Sequence, residues 1–158
     1  MLLICAMPKT GTSSIIEAYR MQGYNAYHVR WKDLAALTQR DRVDFLMQFD
    51  VVAEWYGFVD FSKMIEATNH RIIVEREKSS WHESCEKWFR PSANPIVRDA
   101  RKIRFGCTSY NSERFDAFYN RYKAAEQTLN NPRISFPPCW SKLGLRSNEP
   151  FPHLKGPR

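Results

Sequence analysis

Residues 2–14, LLICAMPKTGTSS, set a short apolar run directly before a Pro-Lys-Thr-Gly-Thr-Ser-Ser turn that leads into a helical pattern. A strand, a tight loop and a helix N-terminus in that order commit the start of the chain to an α/β unit. The loop also carries chemistry. Glycine lets a ligand approach the backbone, first-turn N–H groups have no intrahelical partners, and lysine adds a mobile positive charge, so the segment suits a nucleotide-derived anion. Lys9 precedes Gly11, whereas a Walker loop carries its lysine after the last glycine, in GxxxxGK[ST], which weakens a nucleoside-triphosphatase reading. Taken alone, the loop also fits a plain Gly-Thr-Ser helix cap beside an incidental lysine, because Ser and Thr are favoured at N-caps.

The rest of the chain alternates in the same way. Strands are expected at about 2–6, 25–29, 49–55, 71–76 and 133–136, and helices at 12–22, 31–37, 39–48, 60–68, 79–89, 111–129 and 139–145. Ser79 or Ser80 is the expected cap of the helix after the fourth strand. Residues 91–110 contain two prolines and no clean period, and are expected to be a loop with a short strand at 102–106. Such alternation predicts a three-layer α/β fold, a mainly parallel sheet flanked by helices, as a single domain over residues 1–158. Ligands in sheets of this kind lie at the carboxyl ends of the strands. Lys9, His28, Glu54 and Arg76 all fall at or just beyond expected strand ends and are candidates to converge there.

Composition narrows the partners. The net charge of +7 favours anionic ligands, but the basic residues are dispersed and form no nucleic-acid stripe. No long apolar segment or charged leader is evident, so a membrane span is not expected and a cytoplasmic setting is. Cys5, Cys85, Cys107 and Cys139 form no metal-ligand pattern and read mostly as buried thiols.

PKTGTSS after the first strand resembles the 5′-phosphosulfate loop of the sulfotransferases, which take a sulfuryl group from 3′-phosphoadenosine 5′-phosphosulfate (PAPS). A second match lies in RIIVEREKSSWHESCEKW, residues 71–88. In that family an arginine closing such a strand and a serine eight positions later hold the donor's 3′-phosphate, and Arg76 and Ser84 have that spacing. Guanidinium matches phosphate through paired hydrogen bonds, and a hydroxyl near a helix start adds a further donor. The segment RFDAFYNRYKAAEQTLNNPRISFPPCWSKLGLRSNEPFPHLK resembles the closing part of compact sulfotransferases. The Arg-Lys-Gly-x-x-Gly-Asp-Trp segment of the cytosolic enzymes has no counterpart at residues 155–158, so closure over the 3′-phosphate is expected to differ.

The resemblance implies a P-loop sulfotransferase that moves a sulfuryl group from PAPS to a hydroxyl or amine of a small-molecule or glycan acceptor and releases PAP, the adenosine bisphosphate. It implies donor contacts from Lys9, Thr10, Gly11, Thr12, Ser13, Ser14, Arg76 and Ser84, with Lys9 also acting on the bridging oxygen. No metal is expected, because a sulfuryl group carries less negative charge than a phosphoryl group. His28 and Glu54 are the candidate acceptor bases, with Asp60 behind them. Trp31, Trp55, Tyr56, Phe58, Trp81 and Trp88 are expected mainly as core or rim, with one or two lining a site. A P-loop nucleotide kinase and a non-catalytic anion-binding module are the alternatives; the acceptor and oligomeric state are not legible.

Overall fold

The computed structural model describes residues 1–153, so the segment at 155–158 lies outside the described residues. Five parallel strands form one sheet: β1 (Leu2–Cys5), β2 (Ala26–His28), β3 (Val51–Ala53), β4 (His70–Glu75) and β5 (Arg133–Ser135), in the order β2-β3-β1-β4-β5. The family of apolar runs explains this arrangement. In β1, Leu3 and Cys5 enter one buried cluster while Ile4 enters another, so a strand with no polar face is covered on both sides by helices.

Helices α1 (Thr12–Met21), α2 (Trp31–Leu34), α3 (Gln39–Leu46), α4 (Phe61–Glu66), α5 (Lys78–Trp88), α6 (Pro95–Phe105) and α7 (Ser112–Glu126) connect or flank the strands. Ile15, Ile16 and Tyr19 of α1 pack with Ile4, Ala53 and Val74 on one face. A third cluster joins Met7 of the first loop to Trp81 and Cys85 of α5, Phe105 of α6, and Phe115, Phe118 and Tyr122 of α7. Phe105 and Phe115 stack with ring centroids 4.2 Å apart. This cluster fixes α5 and α6 beside the loop that follows β1.

Two expectations are corrected. Residues 95–105 form α6, and the strand expected at 102–106 is absent from the sheet. Asn94 caps the helix by accepting from Ile96 N at 2.9 Å, Pro95 occupies its first turn where a missing N–H costs nothing, and Gly106 ends it at φ 74°. The cap of α5 is Glu77, with Ser79 and Ser80 in the first turn instead. Its carboxylate accepts from the Ser79 hydroxyl and from the N–H groups of Ser80 and Ser79, contacts that hold its pKa down to about 2. Strands β1, β2 and β3 are also shorter than expected, and no helix of the described residues is long and apolar enough to cross a membrane.

β1 occupies the centre of the sheet, and the chain moves to opposite sides of it through β3 and β4. The carboxyl ends of these central strands therefore open onto a topological switch point.

Candidate active site

Four strand ends deliver the site. Lys9 lies in the loop after β1, His28 ends β2, Glu54 follows β3 and Arg76 follows β4. Lys9 and Glu54 both adopt left-handed backbone conformations, φ 64° and 68°, and are the two described non-glycine residues that do so. Each such residue costs of order 1–3 kcal/mol unless its surroundings hold it.

The surroundings of the first loop are specific. Thr10 Oγ1 donates to Met7 O at 2.6 Å, the Trp81 indole donates to Pro8 O at 2.7 Å, and Arg76 Nη1 donates to Lys9 O. Trp81 is fully buried, so its indole N–H has this carbonyl in place of solvent. Gly11 opens α1 at φ 80°, and no side chain caps the helix. A Cβ on Gly11 would lie 3.0 Å from Pro138 Cδ and Cγ, so both conformation and space require glycine. The cap reading of Thr12 gives way to another role: its hydroxyl donates to Glu54 Oε2 at 2.6 Å and lies 3.1 Å from His28 Nε2.

His28, Glu54 and Arg104 form one network with the loop. His28 Nε2 is 3.4 Å from Glu54 Oε2 and 3.4 Å from Ser13 Oγ. Arg104 Nη1 donates to Glu54 Oε1 at 3.0 Å, and its Nη2 donates to Glu54 O at 2.5 Å. One guanidinium thus holds both the side chain and the strained backbone of Glu54. Burial pushes the Glu54 carboxyl up, but His28, Arg104 and the Thr12 hydroxyl outweigh it and hold the group well below the usual carboxylate range. Arg104 is buried, with its guanidinium 3.8 Å from the Phe58 ring centroid. Gly57 makes room for it, since a Cβ there would stand 2.8 Å from Arg104 Cγ.

This network opens into a cavity of about 650 Å³, lined by Lys9, Gly11, Thr12, Ser13, His28, Glu54 and Arg104 and walled in part by aromatic side chains. Trp31, Phe58 and Trp88 are in that wall, more of the expected aromatic set than the one or two foreseen, while Trp55 and Trp81 are core. Lys9 Nζ stands 4.7 Å from the Trp88 ring centroid, and burial lowers its pKa against the opposing pull of Glu54. Asp60 caps α4 through Lys63 N and does not line the cavity.

A second cavity, about 460 Å³, lies on the β4 side and contains Arg76, Ser80, Lys123 and Phe136. The Arg76 guanidinium sits 4.3 Å from the Phe136 ring centroid and donates to Ser80 Oγ at 3.2 Å through Nε and 3.1 Å through Nη2. Ser84 lies one turn farther along α5, half-buried and outside the lining of both cavities. Thr10 is buried with its hydroxyl turned into its own loop, and Ser14 is buried on α1.

Sequence reading missed Arg104, because an arginine within a basic stretch gives no hint of a carboxylate 50 positions earlier. Ser80 was visible only as a helix cap. Asn94, Pro95 and Gly106 together were the available signal for the helix that carries Arg104.

No curated protein matches the chain. A family model described as a sulfotransferase domain matches residues 1–134, from the first strand through α7 to the middle of β5. With the parallel sheet, the loop after β1 and the cations at the strand ends, that match places the chain in the sulfotransferase domain family.

Proposed function

We propose that the chain transfers a sulfuryl group from PAPS to a hydroxyl or amine acceptor, with the 5′-phosphosulfate on the loop after β1 and the acceptor in the larger cavity. The observation that carries this reading is the uncapped N-terminus of α1 between Lys9 and Arg76, two cations that form no ion pair among the described residues. The Thr12 and Ser13 N–H groups at the start of α1, with the flanking cations, suit a dianionic segment, and the cavity containing Arg76 and Phe136 suits the remaining nucleotide. Arg76 with Ser80 offers donors for the 3′-phosphate, and Ser84 is placed to join only if its turn of α5 reaches that group.

The donor supplies an electrophilic sulfur with a phosphate leaving group. The acceptor oxygen or nitrogen forms the new bond to sulfur as the bridging S–O bond breaks, the acceptor proton passes to a base, and PAP leaves. Lys9 and the amides of residues 10–14 neutralise charge on the leaving side, so the proposed transfer calls for no metal ion. His28 is the base and Glu54 its positioning residue. All described contacts of His28 run through Nε2, where the Glu54 carboxylate favours an N–H, so Nδ1 keeps the lone pair that accepts the proton. Glu54 itself, held ionised by Arg104 and Thr12, is a weak base.

Steady-state kinetics on Lys9→Ala and His28→Ala test the assignment. Both are expected to lower kcat by about 10²-fold or more with little change in the donor KM. A Lys9→Ala enzyme that keeps kcat and raises only the KM for PAPS contradicts the leaving-group role.

A further inference from the structure

The larger cavity contains two cations that the proposed transfer does not use, Arg90 and Arg101. Glu54 is matched by Arg104 and Lys9 faces the leaving group in that reading; Arg90, just beyond α5, is exposed, and Arg101 on α6 is the half-buried cation left over. Its Nη1 donates to Arg90 O at 2.5 Å and to Thr108 O at 3.1 Å, and its guanidinium lies 5.2 Å from the Phe89 ring centroid. Among the described residues it forms no ion pair, and neither Nε nor Nη2 has a partner. The two carbonyls come from the chain after α5 and the chain after α6, so the guanidinium is fixed before any ligand arrives.

A half-buried guanidinium with a spare edge, set in a wall of Trp31, Phe58, Trp88 and Phe89, is an oxyanion receptor attached to an apolar slot. Burial lowers its pKa without a carboxylate to offset the cost, a debt that an incoming anion removes. We propose that the acceptor is an apolar or aromatic acid, a molecule that carries the reacting hydroxyl or amine at one end and a carboxylate at the other, and that Arg101 receives the carboxylate. The inference rests on the reading of this cavity as the acceptor site.

The test is a binding comparison in the absence of donor, using 3-(4-hydroxyphenyl)propanoate and its methyl ester as probes and calorimetry as the readout. A charge-assisted bond of about 1.5–3 kcal/mol corresponds to a preference of roughly 10- to 100-fold for the acid. That preference is expected to fall to about twofold or less in Arg101→Gln, to persist in part in Arg101→Lys, and to survive Lys9→Met. Arg101→Lys also keeps a cation in place should Arg101→Gln fail to fold. Equal affinity for the two probes in the unmodified chain, no binding of either, or a preference lost in Lys9→Met and kept in Arg101→Gln overturns the proposal. A role for Arg101 confined to tying its two loops together changes stability and leaves the acid-to-ester ratio unmoved, which also overturns it. Titration with PAP separates this result from the donor reading: acid preference without PAP binding keeps the acid site and removes the sulfotransfer, and PAP binding without acid preference does the reverse.

Discussion

Replacing Arg104 by Met removes the guanidinium from Glu54 and keeps most of the apolar stem. The side chains of Arg104 and Glu54 are 5% and 14% exposed, so water replaces little of what is lost. With the contact at 3.0 Å, the charge centres lie roughly 4 Å apart, and at an effective dielectric near 20 their attraction is about 4 kcal/mol. Breaking a buried pair from one side costs about 3–5 kcal/mol, because the remaining charge stays desolvated. Arg104→Met also frees the Glu54 carbonyl and backbone, held at φ 68°. Against a typical domain stability of about 5–15 kcal/mol, the variant should unfold at a clearly lower denaturant concentration. The assay is a double-mutant cycle of Arg104→Met and Glu54→Gln followed by urea denaturation. The double variant is expected to be less destabilised than the sum of the single variants by at least about 2 kcal/mol. Additivity within about 0.5 kcal/mol would refute the view that this pair holds the floor of the cavity.

Three further outcomes follow from local geometry. Gly11→Ala, at φ 80° and 3.0 Å from Pro138, should cost about 1–3 kcal/mol in stability and weaken PAP binding, read by denaturation and calorimetry. Trp81→Phe keeps the ring stack but orphans Pro8 O, and should cost about 1–3 kcal/mol with a looser donor loop, seen as faster amide exchange at residues 9–11. Because the folded-state pKa of Glu54 is depressed below the ordinary value of about 4.3, its contribution is complete above about pH 5 and is lost as pH falls toward the folded value. Wild type should therefore lose more stability than Glu54→Gln between about pH 5 and pH 3, as measured by urea midpoints.

The parts of the fold legible in the sequence are those set by local chemistry. LLIC, RIIV and the glycine loop declare themselves because apolar runs and a glycine turn act over a few residues. Arg76 was legible for the same reason, as the residue that ends a buried strand. Helix α6 was not, because prolines were read as breakers although Pro95 stands in the first turn, where proline is tolerated. Part of the site's inner network was hidden for a different reason. Glu54, Arg104, Thr12 and His28 are brought together by the ends of β2 and β3, the start of α1, and α6; His28 and Glu54 are expected from strand ends to converge, but nothing near Arg104 or Thr12 in the sequence names either of them as a partner. The proposed choice of His28 over Glu54 as base rests on the contacts of each nitrogen and oxygen, which no local sequence pattern carries. Ser80 likewise gained its position beside Arg76 only once Glu77 was seen to take the cap.

The central claim is that the loop after β1 and Arg76 grip a nucleotide with phosphates at both its 3′ and 5′ positions. Calorimetric titration of the chain with PAP and with ATP, each without magnesium, tests it directly. The account predicts saturable PAP binding at least about tenfold tighter than ATP, and weakened by Arg76→Ala. ATP binding as tight as or tighter than PAP, or PAP binding untouched by Arg76→Ala, contradicts it and favours a kinase-like or merely anion-binding chain.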